Sequence, residues 1–386
     1  MRVLIAHVAY RVAGGEDAVV ETEARLLREA GVDVETACFD SAEFDRLSPR
    51  VRVTIGLSLS DHEYGRSLIA EAIEKHAPDV VHFHNLYPLL GPGAVSAARR
   101  LGCGVVQTIH NYRLSCLAGT HLNQGKSCEL CSPLHRQPGI LRGCYRGSRL
   151  QSWSLAKALD AHWLSAISGR GAHATIFLSE SMRDRYVRAG LPIEATVVKP
   201  NSVEPGNPAV REPNEVLYVG RLSAEKGIRE LVDAWPASAP TLNVAGAGPL
   251  EEDIGRRAGA NVRLLGRVEP ARVRSLMRES RVVVMPSLCL EGQPLTMLES
   301  LSEGVPVVGF AGTAIADAVG TVFPQAIARS GDFVKFVAAV KREFEADFRS
   351  SQERAIGLYE SHFANRLNQE ALTEIYQRVL EQRGNI

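Results

Sequence analysis

The stretch VVVMPSLCLEGQPLTMLESLSEGVPVVGF (282–310) decides the fold. An apolar run of strand length ends at Met285, and a short loop follows. Pro294 then opens a helical stretch, a position whose fixed φ suits the first turn. The apolar run PVVGF closes the segment. A helix between two such strands predicts a parallel crossover unit.

The same alternation runs outward in both directions. Upstream lie EVLYVGR, KGIRELVDAW, TLNVAG, EEDIGRRAG, VRLLG and ARVRSLMRES, strands alternating with helices. Before them, NSVEPGNPAVREPNE (201–215) has three prolines and few apolar residues, and reads as a linker. The first half repeats the pattern. VLIAHV (3–8), VDVETACF, VVHFH (80–84), VVQTIH (105–110), ATIFLS (174–179) and ATVVKP (195–200) are strands separated by helical stretches. The expected architecture is α/β, two doubly wound Rossmann-like parallel-sheet domains facing across a cleft at the carboxyl ends of their strands. The expected boundaries are 1–205, carrying a Cys-rich loop at 112–150, then 206–362, then one amphipathic helix at 363–386 packing back towards the first domain.

Size and charge agree with this. A chain of 386 residues exceeds one ordinary core, and 45% apolar content excludes disorder as the main state. Lys plus Arg number 44 and Asp plus Glu 44, so a globally basic nucleic-acid binder is excluded. There is no apolar run of about 18 residues to span a membrane. The N-terminal stretch lacks the features of a signal peptide, and seven cysteines, an odd count, suggest a reducing cytoplasm.

Six groups of residues carry candidate chemistry. Glu291 and Glu299 flank the 286–294 turn, where loop amides and a helix N-terminus form an anion site and carboxylates can accept from sugar hydroxyls. The plainer reading is a solvated glutamate pair. Arg221 and Lys226, in LYVGRLSAEKG, offer a fork and a point charge suited to a diphosphate; the plainer reading is two solvated bases. Gly246 and Gly248 follow a strand and permit close backbone approach or simply a turn. Gly14 and Gly15, in VAGGEDAVV (12–20), do the same at the first helix, but no GxGxxG exists, so an NAD-type site is not supported. Gly125-Lys126-Ser127 lacks the earlier P-loop glycine, since Thr120 holds that position.

His110 ends the strand VVQTIH and points to the cleft or fills a structural place. His82 and His84 alternate on one strand, read as buried structural groups rather than a metal pair. Cys116, Cys128, Cys131 and Cys144 have the ligand count of a structural zinc site, with free thiols or a redox disulfide as alternatives.

Jointly, VGRLSAEKG, AGAGP, LLGRV, EGQPLTMLE, AGGED, DVVHFHN, QTIHNYRLSC and VVKPNSVEP resemble the retaining glycosyltransferases of family 4, which have the GT-B fold. The four-cysteine loop looks like a feature of one bacterial branch. The resemblance implies a catalytic set of His110, Glu291, Arg221 and Lys226. It implies donor contacts from Gly14, Gly15, Gly246, Arg267, Val268, Gly292, Gln293, Leu295, Thr296 and Glu299 as well. Arg221 and Lys226 would bind the diphosphate, Glu299 the ribose, Glu291 the sugar, and Arg267 with Val268 the base. Gln293-Pro294 and Asn201-Ser202 depart from the family pattern, and the region after PVVGF lacks a common strand.

The implied reaction moves a sugar, with retention, from a nucleotide diphosphate to a hydroxyl of a glycan, lipid-linked or small-molecule acceptor. UDP-sugars are favoured and GDP-mannose comes next. No cofactor is required, and domain closure would exclude water. The competing classes are a sugar-nucleotide epimerase, a phosphorylase of similar fold and a non-catalytic nucleotide-sugar-binding subunit. Between Ala98 and Lys157 there are nine Lys/Arg and one acid, Glu129. That asymmetry implies either a solvated loop or a contact with an anionic membrane at its inner face, or with an anionic acceptor.

Overall fold

In the first half, four strands form from the apolar runs: β1 (Arg2–Ala9), β2 (Asp33–Asp40), β3 (Val80–Phe83) and β4 (Gly104–Ile109). A small hairpin follows, β5 (Leu122–Asn123) with β6 (Lys126–Ser127), and then β7 (Ala174–Phe177) and β8 (Thr196–Val198). The second half supplies β9 (Glu215–Val219), β10 (Leu242–Ala245), β11 (Val262–Gly266), β12 (Ser280–Met285), β13 (Val307–Phe310) and β14 (Ile327–Ala328). This is a computed structural model, and it describes residues 1–11 and 14–384.

The strands assemble into two parallel sheets, ordered β2-β1-β3-β4-β7-β8 and β11-β10-β9-β12-β13-β14. β3, β4, β7, β10, β12 and β13 are buried along their whole length, as parallel strands covered on both faces must be. Each sheet reverses its winding once, between β1 and β3 and between β9 and β12. Loops at the carboxyl ends of those strands are where open α/β sheets take ligands.

The chain divides into two compact units. One comprises Met1–His121, Cys128–Asn201 and Arg366–Ile386, and the other Leu122–Ser127 and Ser202–Asn365. The final helix, Asn365–Gly384, buries Leu372, Ile375, Tyr376 and Val379 in the core of the first unit, against Val3, Ile5, Val80 and Val106. No helix among the described residues is long and apolar enough to cross a membrane.

Three local readings change. The sheet of the second unit does gain a strand after PVVGF; at two residues, β14 is too short to show as an apolar run. Pro294 is the N-cap, with extended ψ of 126°, and the helix begins at Leu295, because loop 286–294 stays extended to its end. The helix after β9 begins at Ile228, since a single 3-10 turn (Ala224–Lys226) and a left-handed Gly227 intervene. The rejected P-loop at 125–127 is a tight turn, with Gln124 and Gly125 both at positive φ, as a two-residue hairpin of primed type requires.

Candidate functional site

In the second unit the loops after β9 and β12 are stitched together. Gly227 has φ of 66°, and a Cβ there would lie 2.2 Å from the Pro286 carbonyl oxygen. Only glycine lets the two backbones pass this closely. The Leu288 amide donates to the Glu225 carbonyl at 2.9 Å. The result sets Lys226 against Glu291, with Nζ donating to Oε2 at 2.7 Å.

That pair is 27% and 18% exposed, so it is neither free in solvent nor sealed. Burial pulls the Lys226 ammonium down, but Glu291 more than offsets this and leaves its pKa raised. Glu291 Oε1 is buried and has no hydrogen-bond partner. The adjoining helix, Leu295–Ser302, presents its first amides beside buried Gly292 and half-buried Gln293, Leu295 and Thr296. Glu299, one turn further, is half-buried; burial raises its pKa, opposed by Arg274 and supported by Glu303.

Arg221 is exposed, two residues past the end of β9. Arg267, also exposed, and Val268, packed on the core, follow β11. Gly246 (φ 153°) and Gly248 do allow a close approach, but to the chain itself. A Cβ at Gly246 would lie 1.9 Å from the Gly220 oxygen, and one at Gly248 would lie 2.4 Å from that of Leu222. Their glycine identity therefore has a packing cause.

In the first unit the segments at the ends of β1 and β4 are tied to the first helix by two acidic side chains, Glu16 and Asp17, that the sequence pattern does not single out. Gly14 caps the helix Gly15–Glu29, and its amide donates to Asp17 Oδ2 at 2.7 Å. Asp17 Oδ1 lies 3.0 Å from His7 Nε2 and accepts from the Tyr10 amide. Glu16 accepts from the Tyr10 hydroxyl at 2.8 Å and from Asn111 Nδ2 at 3.0 Å. Gly14 and Gly15 are exposed; Val12 and Ala13 of the same motif lie outside the described residues.

His110 lines a small cavity of about 40 Å³ with Glu16, Asn111 and Arg113. Its Nε2 lies 2.8 Å from His84 Nδ1. Burial, despite the opposing Glu16 and Glu23, lowers the His110 pKa, so the ring is neutral near pH 7. His82 and His84 are both fully buried, in keeping with a structural place.

The four loop cysteines are half-buried free thiols. Burial raises the pKa of Cys131 and Cys144, and the neighbouring thiols add to the effect. Among the described residues, however, no three of these sulfurs gather within 4.8 Å of one another. The donor set is right in kind for zinc, but its geometry does not fit a preformed four-thiolate site.

Comparison with known proteins completes this picture. Among solved structures, Anabaena HepE in complex with UDP and glucose aligns over 98% of this chain and all of its own, with TM-score 0.66 at 17% identity. The lipopolysaccharide outer core galactosyltransferase WaaB aligns equally, with TM-score 0.66 at 16% identity. The fold is GT-B. A "Glycosyl transferase 4-like domain" matches residues 14–202, and "Glycosyl transferases group 1" matches residues 213–345. The chain belongs to the glycosyltransferase 4-like family.

A D-inositol 3-phosphate glycosyltransferase of Nocardiopsis dassonvillei is 28% identical over 80% of this chain and 77% of its own length. A D-rhamnosyltransferase of Pseudomonas aeruginosa is 33% identical over 25% of this chain, and a glycogen synthase of Mycobacterium tuberculosis 27% over 60%. The chain spans only 26% and 51% of those two relatives.

Proposed function

We propose that this protein is a retaining glycosyltransferase that uses a nucleoside diphosphate sugar, a UDP-sugar first and GDP-mannose second. The observation that carries the reading is the Lys226–Glu291 pair, with its buried, unpartnered Glu291 Oε1 at the winding reversal of the sheet. A cation and a free carboxylate oxygen side by side suit a diphosphate joined to a sugar: the ammonium takes phosphate oxygens, and the carboxylate accepts from a sugar hydroxyl. HepE, of the same fold, is described in complex with UDP and glucose.

In the proposed reaction the bond from the anomeric carbon to the β-phosphate oxygen breaks, and its electrons stay on the phosphate. Arg221, Lys226 and the amides at Leu295 and Thr296 stabilise that charge. The acceptor oxygen bonds to the same face of the anomeric carbon, and its proton passes to the departing phosphate. Glu299 holds the ribose, Arg267 and Val268 line the base, Gly15 lies beside the diphosphate, and His110 contacts the transferred sugar. The acceptor is a hydroxyl of a glycan, lipid-linked or small molecule. The basic stretch from Ala98 to Lys157 supports an anionic one.

A thermal-shift screen across nucleotide sugars tests the reading. UDP or a UDP-sugar should raise the unfolding temperature, and Lys226→Ala should abolish the shift. A protein stabilised by no nucleotide sugar, or a variant that keeps wild-type turnover, overturns it.

A further inference from the structure

Behind His110 lies a line of buried groups that the proposed reaction does not use. Lys199, after β8, donates from Nζ to Glu23 Oε1 at 2.7 Å, and each side chain is 1% exposed. Glu23 sits on the buried face of the helix Gly15–Glu29, where Val19, Val20, Ala24 and Leu27 are its neighbours. Its other oxygen, Oε2, faces His84 Nε2 at 3.5 Å, a charge contact longer than a good hydrogen bond, and neither atom has a hydrogen-bond partner. His84 Nδ1 lies 2.8 Å from His110 Nε2. The two rings have centroids 5.0 Å apart and planes 22° apart, which fits an edge-to-edge hydrogen bond between them.

The direction of that hydrogen bond follows from charge. Burial acts to raise the Glu23 pKa, but Lys199, with His82 and His110, holds it below the ordinary value, so the carboxylate is ionised. An ionised oxygen cannot face the lone pair of a buried imidazole without cost, so the proton of neutral His84 belongs on Nε2. His84 Nδ1 is then an acceptor, and the proton shared with His110 belongs on His110 Nε2. This leaves His110 Nδ1 as a lone pair.

We propose that Glu23 and His84 are positioning residues that fix His110 as the Nε2–H tautomer, so that its Nδ1 accepts a hydrogen bond from a hydroxyl of the sugar. The inference rests on the proposed role of His110 in glycosyl transfer. It deepens that role from proximity to a defined one: a neutral acceptor, selective for a hydroxyl donor. A partner behind a ligating or reacting histidine commonly fixes its tautomer in this way.

A metal ion is the other reading of this cluster, since ligand atoms of Glu23, His82 and His84 lie within 4.8 Å of one another. Glu23 Oε2 and His84 Nε2 are unpartnered, but a metal here would have to displace a bond of His82, whose Nδ1 pairs with the Tyr376 hydroxyl and Nε2 with Thr108 Oγ1, both at 2.8 Å, and would sit beside the Lys199 ammonium that holds Glu23 Oε1. The remaining neighbour is His7, whose ring is 6.2 Å from that of His84 and whose Nε2 faces Asp17.

The test uses the full chain, labelled with 15N at histidine. In the wild type, the His110 resonances should show Nε2 protonated and Nδ1 bare. Glu23→Leu combined with Lys199→Leu removes both buried charges, so it should fold, and it should leave His110 as a mixture of tautomers. On whichever nucleotide sugar the thermal screen selects, this variant should lose about 10- to 100-fold in kcat with little change in KM. Glu23→Gln with Lys199→Met keeps an oxygen facing His84 and should recover most of the loss.

A wild-type His110 protonated on Nδ1, or a Leu/Leu variant with unchanged tautomer and turnover, overturns the proposal. So does zinc, added alone, shifting the His82 and His84 resonances together. If His110→Ala keeps full turnover while the tautomer result stands, it is the role of His110 in transfer that fails.

Discussion

Two lysine–glutamate pairs in this molecule have the same length and different purposes. Lys199–Glu23 and Lys226–Glu291 both close at 2.7 Å, but the first pair is 1% exposed on each side and the second 27% and 18%. Water cannot reach the first, so its charges answer only to each other and to the histidines beside them. Each pair keeps one buried carboxylate oxygen without a hydrogen-bond partner, Glu23 Oε2 beside the His84 ring and Glu291 Oε1 at a loop that solvent and ligands can reach. Contact distance says nothing about role here; the surroundings decide whether a charge organises its own neighbourhood or waits for a ligand.

Breaking the second pair should give the largest change in activity. Glu291→Ala or Lys226→Ala should lower turnover by about 10²- to 10³-fold, the usual effect of losing one charge-stabilising group, with near-normal circular dichroism. Steady-state kinetics on the selected nucleotide sugar measures this.

Breaking the first pair should instead cost stability. Lys199→Ala leaves a buried carboxylate alone and should destabilise the chain by about 3–5 kcal/mol in urea, while removing both charges together should be close to neutral. A single variant as stable as the wild type would show that the pair is not sealed.

Acid should act on the buried histidines of the first unit. Burial lowers the pKa of His82, His62 and His162 from the ordinary 6.5 to about 4. The unfolded chain therefore binds more protons than the folded one between those values, and stability should fall as pH drops from 6.5 towards 4. Glu23, whose folded pKa is depressed, adds its loss only below its ordinary carboxylate range. Urea midpoints at pH 7, 6 and 5 should decline in order.

The smallest effect belongs to a third pair on the surface. Arg256 and Glu252 meet at 2.8 Å with exposures of 63% and 88%. Arg256→Ala should shift unfolding by less than about 0.5 kcal/mol, because solvent screens the pair.

The sequence exposed one of these regions far better than the other. Arg221, Lys226 and Glu291 fall in the loops after strand ends and Glu299 in the helix that follows one of them, so the strand–loop–helix rhythm that reveals the sheets also points to them. Lys199, Glu23, His84 and His110 come from a loop, a helix and the ends of two strands, with Lys199 and Glu23 separated by 176 positions. No spacing rule connects them. A signal was present at each end: Glu23 interrupts the apolar stripe of Val19, Val20, Ala24 and Leu27, and Lys199 ends the apolar run ATVV. A charge on a buried face asks for a partner, but only three-dimensional structure names it. The glycines at 246 and 248 show the opposite case, where a motif was legible and its cause was not, because a neighbouring loop and an approaching ligand demand the same missing side chain.

The helix Asn365–Gly384 carries a consequence for biosynthesis. Its Tyr376 hydroxyl bonds His82, and its apolar face fills the core of the first unit, yet it is translated after the whole of the second. At about 5–20 residues per second, the ribosome leaves the first unit without that part of its core for on the order of ten seconds or more. During that interval the β1–β3 region exposes an apolar groove of the helix's shape. A nascent chain stalled before Asn365 should therefore be a strong client for chaperones, although all of its sheet strands have been made.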